Sequence, residues 1–136
     1  WYGHYQYGVI LAYRGKMEEA EAAFDKSIRL AASPWALRCK AVLREMAEDL
    51  ESAAELYNQA VSMLPQRNLA IEAVRTMQKA GKSQEVIDMY EKLPQRIKNI
   101  GRIRVTLVEA LLDMGDINRA ERILNGNIQL TDVREG

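Results

Sequence analysis

The chain repeats itself, and that constrains its fold more than any single motif. Gly15, Glu48, Gly81 and Gly115 fall 33, 33 and 34 positions apart. Five positions after each stands Ala20, Ala53, Val86 or Ala120, and four positions further Phe24, Tyr57, Tyr90 or Leu124. A period of this length marks a supersecondary unit that buries its apolar face only by stacking on its neighbours. Glycine at three of the four leading positions can take the left-handed conformation that ends a helix. The next helix begins almost at once, as in Gly15-Lys16-Met17-Glu18-Glu19-Ala20 and Gly115-Asp116-Ile117-Asn118-Arg119-Ala120. Alanine is small where two antiparallel helices would approach most closely, and the bulky residue one turn later fills the space beside it.

Other local signals fit the same unit. Ser33-Pro34-Trp35 is a strong helix start, with Ser33 as N-cap and Pro34 at the first helical position. Pro65 and Pro94 mark further junctions. Two stretches fit less well. The register would bury Lys40 and Arg44, whereas Cys39, Val42, Leu43 and Met46 form a more apolar face; a rotated helix or a shortened turn is the expectation there. Gln95 to Gly101 is too long for a standard junction and predicts an irregular bend. Met17, Met46, Met63, Met77, Met89 and Met114 are scattered over the units and read as core filling.

These columns resemble the tetratricopeptide repeat, whose period is about 34 residues. The first helix of that pattern carries large, large–small and large positions, and the second carries Ala, an aromatic and Ala before a closing Pro. Gly8, Gly15, Ala20 and Phe24 match in the first repeat, with Ser27 at the last Ala position. Ala41, Ala53, Tyr57, Ala60 and Pro65 match in the second, which has Glu48 where Gly is usual. The third keeps Gly81 and Tyr90, and the fourth keeps Gly115 and Ala120 before drifting at Gly126 and Asn127. The resemblance implies an all-α fold: an α-solenoid of about four helix-turn-helix repeats in a right-handed stack. The expected repeats are roughly 1–34, 35–67, 68–100 and 101–136, forming one domain. Because the chain begins with Trp1 and not Met, it reads as part of a longer polypeptide.

Composition narrows the function. Lys and Arg number 19, as do Asp and Glu, so the formal net charge is zero. A protein that binds nucleic acid through phosphate contacts usually carries a basic excess, so nucleic acid is not expected as a partner. No run approaches the ~18 apolar residues of a membrane span, and no membrane partner is expected. Cys39 is the only cysteine and His4 the only histidine. No metal-ligand spacing or cysteine–histidine couple follows from one of each, far apart in sequence. The glycines fall singly, without a phosphate-binding loop. An enzyme is not expected, nor a cofactor or metal, and location in the cell stays open.

Five of the nine aromatics lie within residues 1–13. At ~100° per residue, His4, Tyr7, Gly8 and Leu11 share one arc, the packing face within the repeat. Trp1, Tyr2, Tyr5, Val9, Ala12 and Tyr13 share a second. A helix apolar on two sides wants to be buried on two sides. Upstream sequence covering the second arc is one expectation, self-association through it another, and a ligand groove a third.

The resemblance implies a scaffold that binds a protein, a peptide or another domain of its own chain. Its groove positions are Tyr2, Tyr5, Arg38, Glu45, Glu72, Lys79, Arg102 and Glu109, to which the aromatic arc adds Tyr13. Tyr5 and Val9 stand where members that clamp acidic C-termini carry Lys and Asn, which argues against that ligand. Gly101-Arg102-Ile103-Arg104, Asp113-Met114-Gly115-Asp116 and Asp132-Val133-Arg134-Glu135-Gly136 are also similar to the helical tails of large bacterial multidomain proteins. Some of those are associated with carbohydrate use, so the alternative is a structural tail packed on a larger enzyme.

The small residue at each helix crossing should not tolerate bulk. Ala53→Leu is expected to cost ~1–3 kcal/mol by overpacking, and Glu55→Gln less than ~0.5 kcal/mol. Thermal melts that rank the two the other way would refute the register.

Overall fold

The computed structural model describes residues 1–125. The expected drift at Gly126 and Asn127 and the segment Asp132 to Gly136 lie outside the described residues. The described residues form α1 (Tyr2–Tyr13), α2 (Met17–Leu30), α3 (Pro34–Met46), α4 (Leu50–Met63), α5 (Arg67–Lys79), α6 (Ser83–Lys92), α7 (Gln95–Lys98), α8 (Gly101–Asp113) and α9 (Ile117–Leu124), without a strand among them. Among the described residues the longer helices follow one another in four pairs: α1–α2, α3–α4, α5–α6 and α8–α9. The chain divides into two compact units, Trp1–Leu64 with the first two pairs and a second beginning at Pro65.

The turns inside the pairs are one structure made four times. Gly15, Glu48, Gly81 and Gly115 have φ of 76°, 61°, 73° and 80°. At each of them two backbone bonds close the preceding helix. At the first, Gly15 N–H donates to the Ala12 carbonyl and Lys16 N–H to the Leu11 carbonyl. The same pair recurs as Glu48 to Glu45 with Asp49 to Arg44, Gly81 to Gln78 with Lys82 to Met77, and Gly115 to Leu112 with Asp116 to Leu111. This is the Schellman closure, which satisfies carbonyls that a helix end leaves open. The donor of the longer bond is also the N-cap of the next helix: Lys16, Asp49, Lys82 and Asp116 all sit near φ −90° and ψ 70°. Asp49 and Asp116 cap with their carboxylates, accepting from the Ser52 and Arg119 amides. Hydrogen bonding by Ser52, through its side chain first and its amide second, holds the Asp49 carboxyl below its ordinary value.

Five residues past each left-handed position, Ala20, Ala53, Val86 and Ala120 are buried. Phe24 and Tyr57 are buried one turn later, whereas Tyr90 is half-buried under Lys98, whose Nζ lies 5.3 Å from the ring centre. Leu124 breaks the column at 56% exposure. Phe24 is roofed by α3, which packs on α2, while among the described residues α9 packs chiefly on α8.

The helix start at Ser33 forms as expected, its hydroxyl accepting from the Trp35 and Ala36 amides. Three other expectations need correcting. First, α3 is not rotated. Ala36, Leu37 and Ala41 are buried, and the half-buried Lys40 and Arg44 reach acids on α2. Lys40 Nζ lies 2.7 Å from Asp25, and Arg44 pairs with Glu21 and with Asp49. Half-burial is tolerable for these cations because each meets an opposite charge. Second, the segment after Pro94 is not irregular: it winds into the single turn α7, placing Ile97 in the core between the buried Leu93 and Ile100. Arg96 ties this turn to the Pro65 carbonyl at 3.2 Å. Third, the methionines are not uniformly core. Met77 and Met89 are buried, but Met46, Met63 and Met114 are exposed.

Glu48 occupies a backbone region that costs an L-residue with a Cβ ~1–2 kcal/mol. Glu48→Gly is expected to raise stability by ~0.5–1 kcal/mol net of chain entropy. Gly81→Ala should lower it by about 1 kcal/mol or more. Urea unfolding measures both, and shifts of the same sign would contradict the shared turn.

Candidate functional site

An apolar pocket lies in the first unit, where α1, α2 and α3 meet. Its foundation is a close helix crossing. A Cβ on Gly8 would stand 2.7 Å from the Phe24 ring, so α1 approaches α2 at a distance that only glycine permits. Phe24 is thereby seated under α1 with Leu11, Ala20, Ala23 and Leu43. Ser27 stands where the pattern prefers Ala, and its hydroxyl donates to the Trp1 carbonyl at 2.9 Å, which satisfies a buried hydroxyl and fixes the start of α1 on α2.

Aromatic rings run from this core to the surface. Tyr5 lies 6.2 Å from Phe24 at a 48° tilt, Tyr2 stacks on Tyr5 at 6.3 Å, and Trp1 meets Tyr2 edge-on at 5.7 Å. Offset and edge-to-face pairs of this kind add to plain area burial. Burial first, and the neighbouring Cys39 thiol second, push the Tyr5 phenol above its ordinary value.

Beside the rings lies a pocket of about 270 Å³. Phe24 and Leu43 line its depth, Val9 and Ala12 come from α1, and Met17 from α2. Cys39, Val42 and Met46 bring one face of α3, and Tyr13 and Arg38 complete the lining. Tyr13 is 89% exposed. The apolar face of α3 that sequence reasoning took for a rotated helix is thus the wall of this pocket. The ion-paired Lys40 and Arg44 face α2, so one helix serves both demands.

Of the expected contact residues, Tyr13 and Arg38 line the pocket and Tyr5 packs beside it, with Tyr2 stacked outside. Glu45 is half-buried on α3 and does not line it. Glu72 and Lys79 lie on α5 and Arg102 and Glu109 on α8, all in the second unit. Lys79 and Glu109 are exposed, Glu72 and Arg102 half-buried. Tyr7, expected on the internal packing face with Gly8 and Leu11, is instead exposed, as is His4. The buried positions of α1 are Gly8 and Leu11 alone. His4 lines a different groove from Cys39. Among the described residues no group of three His, Cys, Asp or Glu side chains is placed to hold a metal. None of their helices is long and apolar enough to cross a membrane.

Paired helices, a shared left-handed turn and a buried residue five positions after it define an all-α helical-repeat protein. Comparison adds that residues 3–34, which hold α1 and α2, match the tetratricopeptide repeat. Repeats of that family generally mediate protein–protein contacts. No curated protein matches the sequence.

Gly8 tests the crossing on which the pocket is built. Gly8→Ala gains ~1 kcal/mol of helix propensity but forces a methyl group onto Phe24, an overpacking cost of ~1–3 kcal/mol. A net loss is expected, relieved in Gly8→Ala combined with Phe24→Leu. Denaturant midpoints of both variants decide it; a stabilised Gly8→Ala contradicts the geometry.

Proposed function

We propose that this chain is a protein-interaction module whose pocket between α1, α2 and α3 seats one bulky apolar side chain of a peptide or neighbouring protein segment. The observation that carries the reading is the pocket itself: about 270 Å³ and lined almost throughout by apolar side chains. That is near the lower end of the ~300–1,000 Å³ of ligand pockets. Burying an aliphatic or aromatic side chain there is worth ~1.5–3 kcal/mol before the costs of ordering the ligand. Met17 and Met46 are unbranched and can adjust to more than one anchor shape. Arg38 is the charged residue of the lining and favours an acidic residue beside the anchor. The chain is assigned no chemistry of its own.

Selection of a random peptide library on the immobilised chain tests this reading. Enriched peptides are expected to share a bulky apolar residue flanked by an acidic one. Val42→Trp fills the pocket and should lower affinity for them at least about tenfold, the effect of ~1.4 kcal/mol, with an unchanged helical spectrum. Arg38→Glu should erase the acidic preference and keep the apolar one. Peptides that bind Val42→Trp as well as the parent would sink the proposal.

A further inference from the structure

The first hairpin carries a second groove on its other side. It has a volume of about 300 Å³ and is lined from α1 by His4, Tyr7 and Leu11, and from α2 by Glu19, Ala22, Ala23 and Lys26. At ~100° per residue, these α2 positions lie on the opposite side of the helix from Glu21 and Asp25, which pair with α3. Leu11 and Ala23 form a buried floor, and Tyr7 and Ala22 are exposed above it. Glu19 and Lys26 are exposed too, and neither has an ion-pair partner among the described residues.

We infer that this groove is an interface for a second copy of the same chain, with α2 packed antiparallel on α2 about a two-fold axis. The charge pattern selects that occupant. Glu19 and Lys26 are equidistant from the midpoint between Ala22 and Ala23. Antiparallel copies of α2 sharing that midpoint set Glu19 of each copy against Lys26 of the other. An isologous interface requires such self-complementarity, and a foreign segment carrying one sign of charge would meet one favourable and one unfavourable group. The centre suits the axis as well. Ala22 and Ala23 let two helix axes approach at the short end of the ~8–10 Å range. Tyr7 beside them supplies the aromatic area that interface centres favour. Two hairpins joined in this way form a four-helix arrangement.

This places self-association opposite the arc of Trp1, Tyr2, Tyr5, Val9 and Tyr13 that the sequence suggests. In that arc Tyr5, Val9 and Ala12 already pack on the core cluster together with Cys39 of α3.

Sedimentation equilibrium of the chain from micromolar to millimolar concentration tests the inference. A monomer–dimer equilibrium is expected, weakened at least about tenfold by Glu19→Lys or by Lys26→Glu, each of which sets like charges face to face. The double variant Glu19→Lys with Lys26→Glu should restore dimerisation. These residues are exposed, so unchanged melting curves are expected to confirm that all three variants fold. Val42→Trp, on the other side of the hairpin, should leave the equilibrium unchanged. A chain that stays monomeric throughout overturns the inference, as does a dimer indifferent to both single exchanges or one that the double exchange fails to restore.

Discussion

A backbone reversal in which one residue closes a helix and opens the next governs the rest of the structure. At Lys16, Asp49, Lys82 and Asp116 the same amide that completes the Schellman bond belongs to the N-cap of the following helix. No linker remains to vary, so the second helix of each pair leaves at a set angle. The residue reaching the crossing is always the fifth after the left-handed position. Ala20, Ala53, Val86 and Ala120 are therefore buried for a reason of geometry: the turn carries each of them inward at the same step. Packing follows the turn, and the pocket follows the packing.

That dependence explains how much of the fold was legible in the sequence. A left-handed residue needs glycine or must bear a strain, and a crossing needs a small side chain. Both demands leave single-residue marks at a fixed period. The left-handed turns and the helix pairing were readable on those grounds, and the cap at Ser33 from the proline that follows it. Glu48 departs from the glycine pattern, yet its φ of 61° shows that the backbone bonds of the turn outweigh the preference of its side chain. What stayed hidden depends on partners distant in sequence. Nothing near Lys40 or Arg44 announces that Asp25 and Glu21 await them on α2. Without those acids, two half-buried cations read as a sign that α3 must turn its other face inward.

The candidate site was legible only in fragments. Tyr13 and Arg38 were marked by register and aromatic clustering, and both line the pocket. Cys39, Val42, Leu43 and Met46 were noticed as an apolar face but assigned to the core, because a face that lines a pocket and a face that fills a core have the same composition. Tyr7 was misplaced for a related reason: periodicity tells which residues share an arc, not how wide a buried arc is. In α1 that arc is narrow, with only Gly8 and Leu11 buried.

The strained turn at Glu48 also bears on where each hairpin draws its stability. A reversal made by glycine holds its left-handed residue without steric cost, whereas the α3–α4 turn carries ~1–2 kcal/mol at Glu48. Lys40 and Arg44 of α3 meet Asp25 and Glu21 of α2, so the hairpin with the costlier turn is the one tied by ion pairs to its neighbour. Its standing therefore depends on the first hairpin, and loss of those acids would weaken α3–α4 before it weakened α1–α2.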